Sequence, residues 1–108
     1  EGLIFDPPAF GRGGGGKSAK TWKLDSDLPK LAALFPDLLS EEAAFVLLTC
    51  HDPKWSSEKL AKRLEIALAP VSAARGGKVE HGPMMIDAAA EGGKSMPMGV
   101  YARWRAAF

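Results

Sequence analysis

The stretch that decides the fold is LIFDPPAFGRGGGGKSAK, residues 3–20, where a short apolar run is closed by an aspartate and two prolines. The run Leu3-Ile4-Phe5 is typical of a short strand in the middle of a parallel sheet. Asp6 and the pair Pro7-Pro8 end it, because proline lacks the N–H that a sheet ladder uses. In open α/β sheets, ligands bind beyond the carboxyl ends of the strands. Residues 6–10 therefore are the first candidates for a functional site.

Downstream of this stretch, helical and strand patterns alternate. Leucines at three- and four-residue steps predict an amphipathic helix from Leu24, capped by Asp25 or Ser26 and ended or kinked near Leu34 by Pro36. Residues 43–49 are apolar without alternation, which predicts a second strand buried on both faces.

A second helix is expected after Ser56 or Ser57, either of which is a good N-cap residue. Residues 78–86 form a weaker strand candidate, and residues 100–105 alternate as a closing strand. The order strand, helix, strand, helix, strand, strand predicts an α/β fold with a parallel sheet, crossover helices and a final antiparallel pair.

The composition is that of an ordinary globular domain. The 108 residues are 46% hydrophobic and 25% charged, with a net charge of +1, so no global basic field indicates nucleic-acid binding. The single Cys50 has no internal disulfide partner, which favours a reducing, cytoplasmic compartment. The longest apolar run is far shorter than a membrane span, and no basic-then-apolar leader is visible.

The glycine loop has two interpretations. Residues 11–18, GRGGGGKS, match the phosphate-binding pattern G-x-x-x-x-G-K-[ST], which would make the chain a P-loop-like nucleotide-binding module. A true P-loop, however, follows its strand at once and its Lys-Ser opens a helix, whereas residues 6–10 intervene here. The competing interpretation is a flexible surface loop.

The box Asp6-Pro7-Pro8-x-Phe10 is more informative than the glycines. A rigid Pro-Pro turn after a strand fixes the direction of the carboxylate, and an aromatic ring beside it offers a face on which a base can stack. These residue types suit a site that holds a nucleobase against a reactive group.

With these motifs in view, the chain resembles the class I S-adenosylmethionine-dependent methyltransferases of the large-subunit ribosomal RNA type. The resemblance runs through LIFDPPAFGRG, WKLDSDLPKL and FVLLTC, and covers nearly all 108 residues. It implies that residues 1–108 are the C-terminal part of a Rossmann-like methyltransferase domain, in which residues 2–5 and 43–49 are the fourth and fifth strands of seven. It further implies that the half carrying the main cofactor motifs lies upstream of Glu1, and that the isolated chain is inactive.

The resemblance also implies roles for residues. Asp6 and the Pro7 carbonyl would orient the acceptor, Pro8 would make the turn rigid, and Phe10 would stack on the base of an RNA such as 23S ribosomal RNA. S-adenosylmethionine is the implied cofactor, with Asp6 as its one candidate contact in this chain. Four cations on the acceptor side are candidates for RNA binding: Arg12, Lys17, Lys20 and Lys23.

The remaining reactive residues leave alternatives open. Cys50 lies near the place where cytosine-methylating relatives carry a nucleophilic thiol, and His51 would then activate it; the other interpretation is a buried, inert thiol. His81 is expected to be a surface or core histidine. No spacing of His, Cys and acidic residues predicts a metal site. The free edge left by the expected missing strands is a candidate for self-association, and an inactive half-fold is a third interpretation of the chain.

Overall fold

The computed structural model describes residues 1–12, 21–87 and 92–107. In these ranges the strands are β1 (Gly2–Phe5), β2 (Phe10–Arg12), β3 (Thr21–Lys23), β4 (Phe45–Cys50), β5 (Lys78–Ile86) and β6 (Met96–Arg105). The helices are α1 (Leu24–Ala32), α2 (Phe35–Leu38), α3 (Ser57–Ala67) and α4 (Ala69–Arg75). None of these helices is long and apolar enough to cross a bilayer.

Four of the strands form one mixed sheet in the order β1-β4-β6-β5. Strands β1 and β4 are parallel, and β6 runs antiparallel to both β4 and β5. The predicted α/β class and the antiparallel pairing of the last two strands are therefore confirmed. The sequence did not predict that β6 lies between β4 and β5, because the alternation of a strand does not reveal how many neighbours it has.

The helices cover one face of this sheet. Strand β4 alternates between fully buried and half-buried residues, and its buried set packs on the helices together with residues of β6. The core consists mainly of Leu24, Leu28, Phe35, Val46, Leu48, Cys50, Leu60, Leu64, Leu68, Ala102 and Trp104. Phe5 extends this core to β1 by stacking on Phe35, with 4.3 Å between the ring centroids.

The other face of the sheet is open. Ile4 of β1 is 67% exposed, and Phe45 and Leu47 of β4 are only half-buried. With Lys78, Arg103 and Arg105 they line a shallow depression of about 800 Å³. The expectation that β4 is buried on both faces is thus wrong for the described residues, which supply helices to one face only.

The first helix differs from its prediction at its start, whereas its end at Ala32, shortly before Leu34 and Pro36, agrees with the prediction. Lys23 occupies the N-cap position, and the Asp27 carboxylate accepts a hydrogen bond from the Lys23 N–H at 2.8 Å, so neither Asp25 nor Ser26 is the cap. Pro36 lies in the first turn of a separate short helix, α2, where its missing N–H costs nothing. Ser56 caps α3 as predicted, accepting a hydrogen bond from the Lys59 N–H.

A two-stranded hairpin flanks the glycine loop. Strands β2 and β3 pair antiparallel, with Phe10 opposite Lys23 and Arg12 opposite Thr21. The Trp22 indole N–H donates to the Pro8 carbonyl at 2.7 Å, and the Leu24 N–H donates to the Ala9 carbonyl at 3.1 Å. These bonds fasten the hairpin to the segment that follows β1, so the segment is held at both ends.

Candidate acceptor site

The carboxyl ends of β1 and β4 form the candidate site. The two strands are parallel, with Phe5 opposite Leu48, so the next residues along each strand, Asp6 and Thr49, come together. Polar side chains at this edge face the space beyond the strands, which is where open α/β sheets bind ligands.

The Asp6 carboxylate is held by two side chains from β4 and its end. The Thr49 hydroxyl donates to Asp6 Oδ1. The His51 Nε2 lies 3.1 Å from the same oxygen, and the His51 Nδ1 lies 2.6 Å from the Met98 carbonyl at the start of β6. Asp6 is therefore fixed in direction although its side chain is more than half exposed.

The two prolines play different structural parts. Pro7 is buried, whereas Pro8 is exposed and its carbonyl is occupied by the Trp22 indole. Asp6, Pro7, Pro8 and Trp22 line a depression of about 330 Å³ with apolar side chains of β1 and α1 behind them. Among the described residues, no hydrogen bond uses the Pro7 carbonyl. Phe10 is 57% exposed, with a ring accessible to a flat partner.

The Cys50 side chain points to the helix-covered face of the sheet. It is fully buried on the helix-covered face, and burial raises the pKa of its thiol, with nearby carboxylates acting in the same direction. Its neighbour His51 is exposed and contacts Asp6 and Met98, so the ring is engaged away from the thiol. The hypothesis that His51 activates Cys50 is wrong in this structure, and the interpretation as a buried, inert thiol fits it.

Two of the four candidate RNA-binding cations, Arg12 and Lys23, belong to the described hairpin. Lys23 is exposed at the end of β3. Arg12 ends β2, and Lys17 and Lys20 lie outside the described residues. The structure thus brings the flanks of this group beside residues 8–10, through the hydrogen bonds of Trp22 and Leu24.

The P-loop interpretation requires a helix that begins at Lys17-Ser18. Residues 13–20, which include Lys17 and Ser18, lie outside the described residues. The described residues on either side of them, β2 and β3, pair antiparallel, and α1 begins at Leu24.

The second histidine, His81, makes its side-chain hydrogen bond to α3. His81 is exposed on β5, and its Nδ1 lies 2.9 Å from the Ser57 hydroxyl. Within residues 1–12, 21–87 and 92–107, no three His, Cys, Asp or Glu side chains come together as metal ligands.

Sequence reasoning missed Thr49 and, as a partner of Asp6, His51. The parallel pairing of two strand ends carries the signal: polar residues that follow neighbouring parallel strands meet at one edge. Thr49 was included in the apolar run instead, because it ends an otherwise hydrophobic strand. Trp22 was likewise unassigned, although its indole shapes the wall of the depression.

Comparison with known proteins gives matches among solved structures. No protein-family model and no curated protein sequence matches the chain. Among solved structures, the chain is similar to the crystal structure of the SAM-dependent methyltransferase from Agrobacterium tumefaciens, with a TM-score of 0.80 and 24% sequence identity. The match covers 96% of this chain and 32% of that protein.

This match shows the fold. The described sheet and helices have the architecture of one part of a SAM-dependent methyltransferase, as the resemblance predicted. The chain spans about a third of the length of the protein that it matches. What the chain itself binds and acts on is taken up below.

Proposed function

We propose that the chain is the acceptor-binding part of an S-adenosylmethionine-dependent methyltransferase that methylates a base in RNA, such as 23S ribosomal RNA. One observation carries this proposal: Asp6 of the Asp-Pro-Pro-x-Phe box, at the end of β1, is held by Thr49 from the adjacent parallel strand, beside a depression and an exposed Phe10. The methyltransferase fold of the solved relative supports it.

The site suits an acceptor more than a cofactor. Its polar groups are one fixed carboxylate and the Pro7 carbonyl, both of which accept hydrogen bonds and thus match a base that presents N–H groups. S-adenosylmethionine supplies the electrophilic methyl group when bound. The work of these residues is to hold the acceptor in line, in a site with little water, because methyl transfer needs orientation more than acid–base chemistry.

The main cofactor contacts are proposed to lie in a part of the methyltransferase domain outside residues 1–108. The solved relative is about three times as long as this chain, which supports the proposal. Asp6 is the one residue here proposed to contact the cofactor as well. Without those contacts, the isolated chain is proposed to be inactive.

The RNA is proposed to lie along the hairpin. Lys23 is exposed there, and Arg12, Lys17 and Lys20 belong to the same hairpin and loop. Each phosphate that they neutralise would add a salt-dependent term to binding. The protein is proposed to act in the cytoplasm, and the edge of the sheet at β1 is proposed as a surface for self-association.

An NMR titration of the 108-residue chain with a short single-stranded RNA tests the acceptor role. We expect amide shifts in residues 5–11 and 49–51. The Phe10→Ala variant should bind about 5- to 150-fold more weakly, since stacking of one base contributes about 1–3 kcal/mol. Phe45→Ala, on the open sheet face, is the matched control. Shifts elsewhere only, or equal losses in both variants, would overturn the acceptor role.

Calorimetry separates the proposal from the nucleotide-binding alternative. We expect no heat when the chain is titrated with S-adenosylmethionine or with magnesium-ATP. Heat with ATP that disappears in Lys17→Ala would establish the P-loop-like module instead. Heat with S-adenosylmethionine would show that the cofactor site lies within residues 1–108 and overturn the proposed division of the domain.

A further inference from the structure

His51 joins three strand ends at the candidate site. It directly follows β4; its Nε2 lies 3.1 Å from Asp6 Oδ1, after β1, and its Nδ1 lies 2.6 Å from the Met98 carbonyl, in β6. The imidazole ring is therefore the one described side chain that contacts both the Asp-Pro-Pro box and the start of β6.

The partners of the ring fix its hydrogens. A carbonyl oxygen only accepts, so the Nδ1 of His51 must carry a hydrogen to bond Met98. In a neutral imidazole the Nε2 would then present a lone pair to Asp6 Oδ1, which already accepts from Thr49. With an ionised Asp6, both contacts are hydrogen bonds only when both ring nitrogens carry hydrogens.

A glycine makes this approach possible. Gly99 has φ +111°, and a Cβ at this position would lie 3.1 Å from the His51 Nδ1 and overlap the Cys50 carbonyl. Any residue with a side chain would push the start of β6 away from the ring. The close contact between the Met98 carbonyl and the His51 ring therefore depends on a glycine at position 99.

We propose that His51 is a positioning residue for Asp6 and a proton-dependent clasp between the Asp-Pro-Pro box and β6. The protonated ring holds Asp6 Oδ1 and the Met98 carbonyl, which directs Asp6 Oδ2 toward the bound acceptor. Loss of the Nε2 proton releases Asp6 and loosens the Met98–Gly99 backbone. Only the statement about the acceptor rests on the proposed function; the clasp itself does not.

The charged groups around the ring favour this assignment. Asp6, Asp52 and Asp25 are the carboxylates that raise the pKa of the thiol of Cys50, the residue before His51. Asp52 bonds the Lys54 N–H, and Asp25 bonds the Trp55 indole and pairs with Lys59. Asp6 is the carboxylate of the three whose ion-pair partner is His51.

The test is an NMR pH titration of the ligand-free 108-residue chain. The chain has two histidines, so the His51→Gln variant assigns the two imidazole rings. We expect the Gly99 amide shift to follow the protonation of the His51 ring as the pH is changed. The ring nitrogens should show a hydrogen on Nδ1 throughout.

The Asp6→Asn variant is the decisive one. Its carboxamide N–H can donate to the lone pair of a neutral Nε2, so the clasp no longer needs the second proton. We expect Gly99 to lose its response to pH in this variant and in His51→Gln, and to keep it in the control Asp52→Asn. The His51→Gln arm keeps the test decisive if Asp6→Asn does not fold.

A neutral His51 with its hydrogen on Nε2 would overturn the proposal. An unchanged Gly99 response in Asp6→Asn or His51→Gln would do the same. Because no ligand is present, these outcomes are independent of the RNA titration: the clasp can fail while RNA binds at Phe10, or hold while no RNA binds.

Discussion

The two faces of strand β4 differ far more in the structure than in the sequence. Val46, Leu48 and Cys50 are fully buried under the helices, whereas the alternate residues Phe45, Leu47 and Thr49 are only half-buried on the open face. The covered face carries the stability of the chain, and the open face leads to Asp6, Thr49 and His51. Neighbouring residues of one strand therefore serve different purposes: one set packs in the core, and the other leads to the candidate site.

The largest expected effect comes from replacing one leucine on each face of β4 with alanine. Leu48→Ala removes a fully buried side chain and should lower the free energy of unfolding by about 2–5 kcal/mol. Leu47→Ala removes the same atoms from the half-buried face and should cost less than about 1.5 kcal/mol. Urea unfolding measures both. Equal losses would mean that the open face is covered in solution, for example by a second copy of the chain.

A pair of glycines tests how closely β6 must approach the end of β4. Gly99 and Gly92 both have positive φ, but a Cβ would meet the Cys50 carbonyl at Gly99 and no atom within 4 Å at Gly92. Gly99→Ala should therefore cost about 1–3 kcal/mol more than Gly92→Ala, which bears only the backbone strain. Thermal unfolding of both variants gives the difference. Matching stabilities would show that β6 can move back without cost.

Adjacent residues Cys50 and His51 extend the comparison to reactivity, because they lie on opposite faces. Burial raises the pKa of the Cys50 thiol, so little thiolate forms in the folded chain near neutral pH. Modification by a thiol reagent should be at least about tenfold slower in buffer than in denaturant, where the thiol is free to ionise. Rapid modification of the folded chain would instead restore Cys50 as a candidate nucleophile.

How much of this was predictable from sequence differs between the two faces. Periodicity identified the core leucines of α1 and α3 and the strand at residues 78–86, because burial against helices imposes a regular spacing. The hairpin β2–β3 was missed, since each of its strands has three residues and is too short to show alternation. The insertion of β6 depends on pairing between distant residues, which no local pattern records.

The candidate site divides in the same way. Asp6, Pro7, Pro8 and Phe10 follow one strand and form a contiguous motif, so they were predicted together. Thr49 and His51 join them only because two parallel strands end side by side. When a residue reaches a site from a neighbouring strand, the residues next to it in the sequence give no sign of that role.

The smallest expected effect concerns the charged part of the open face. Glu80 accepts from Arg103 at 2.6 Å and from Arg105 at 3.1 Å, and these hydrogen bonds and charges hold the pKa of its carboxyl below the usual range. A carboxyl with a lowered pKa in the folded state adds stability above its unfolded pKa of about 4.3, and that stability is lost as the pH falls through the folded value. Glu80→Gln should therefore lower the melting temperature slightly at neutral pH, and the difference should shrink as the pH falls below about 4.3. Exposed Glu65→Gln on α3 is the matched control and should show no such difference.

Added salt should shrink the effect, because screening weakens exposed ion pairs. If Glu80→Gln melts like the parent chain at neutral pH, the two arginines are held by the strand pairing of β5 and β6 alone, and the open face owes its order to the backbone.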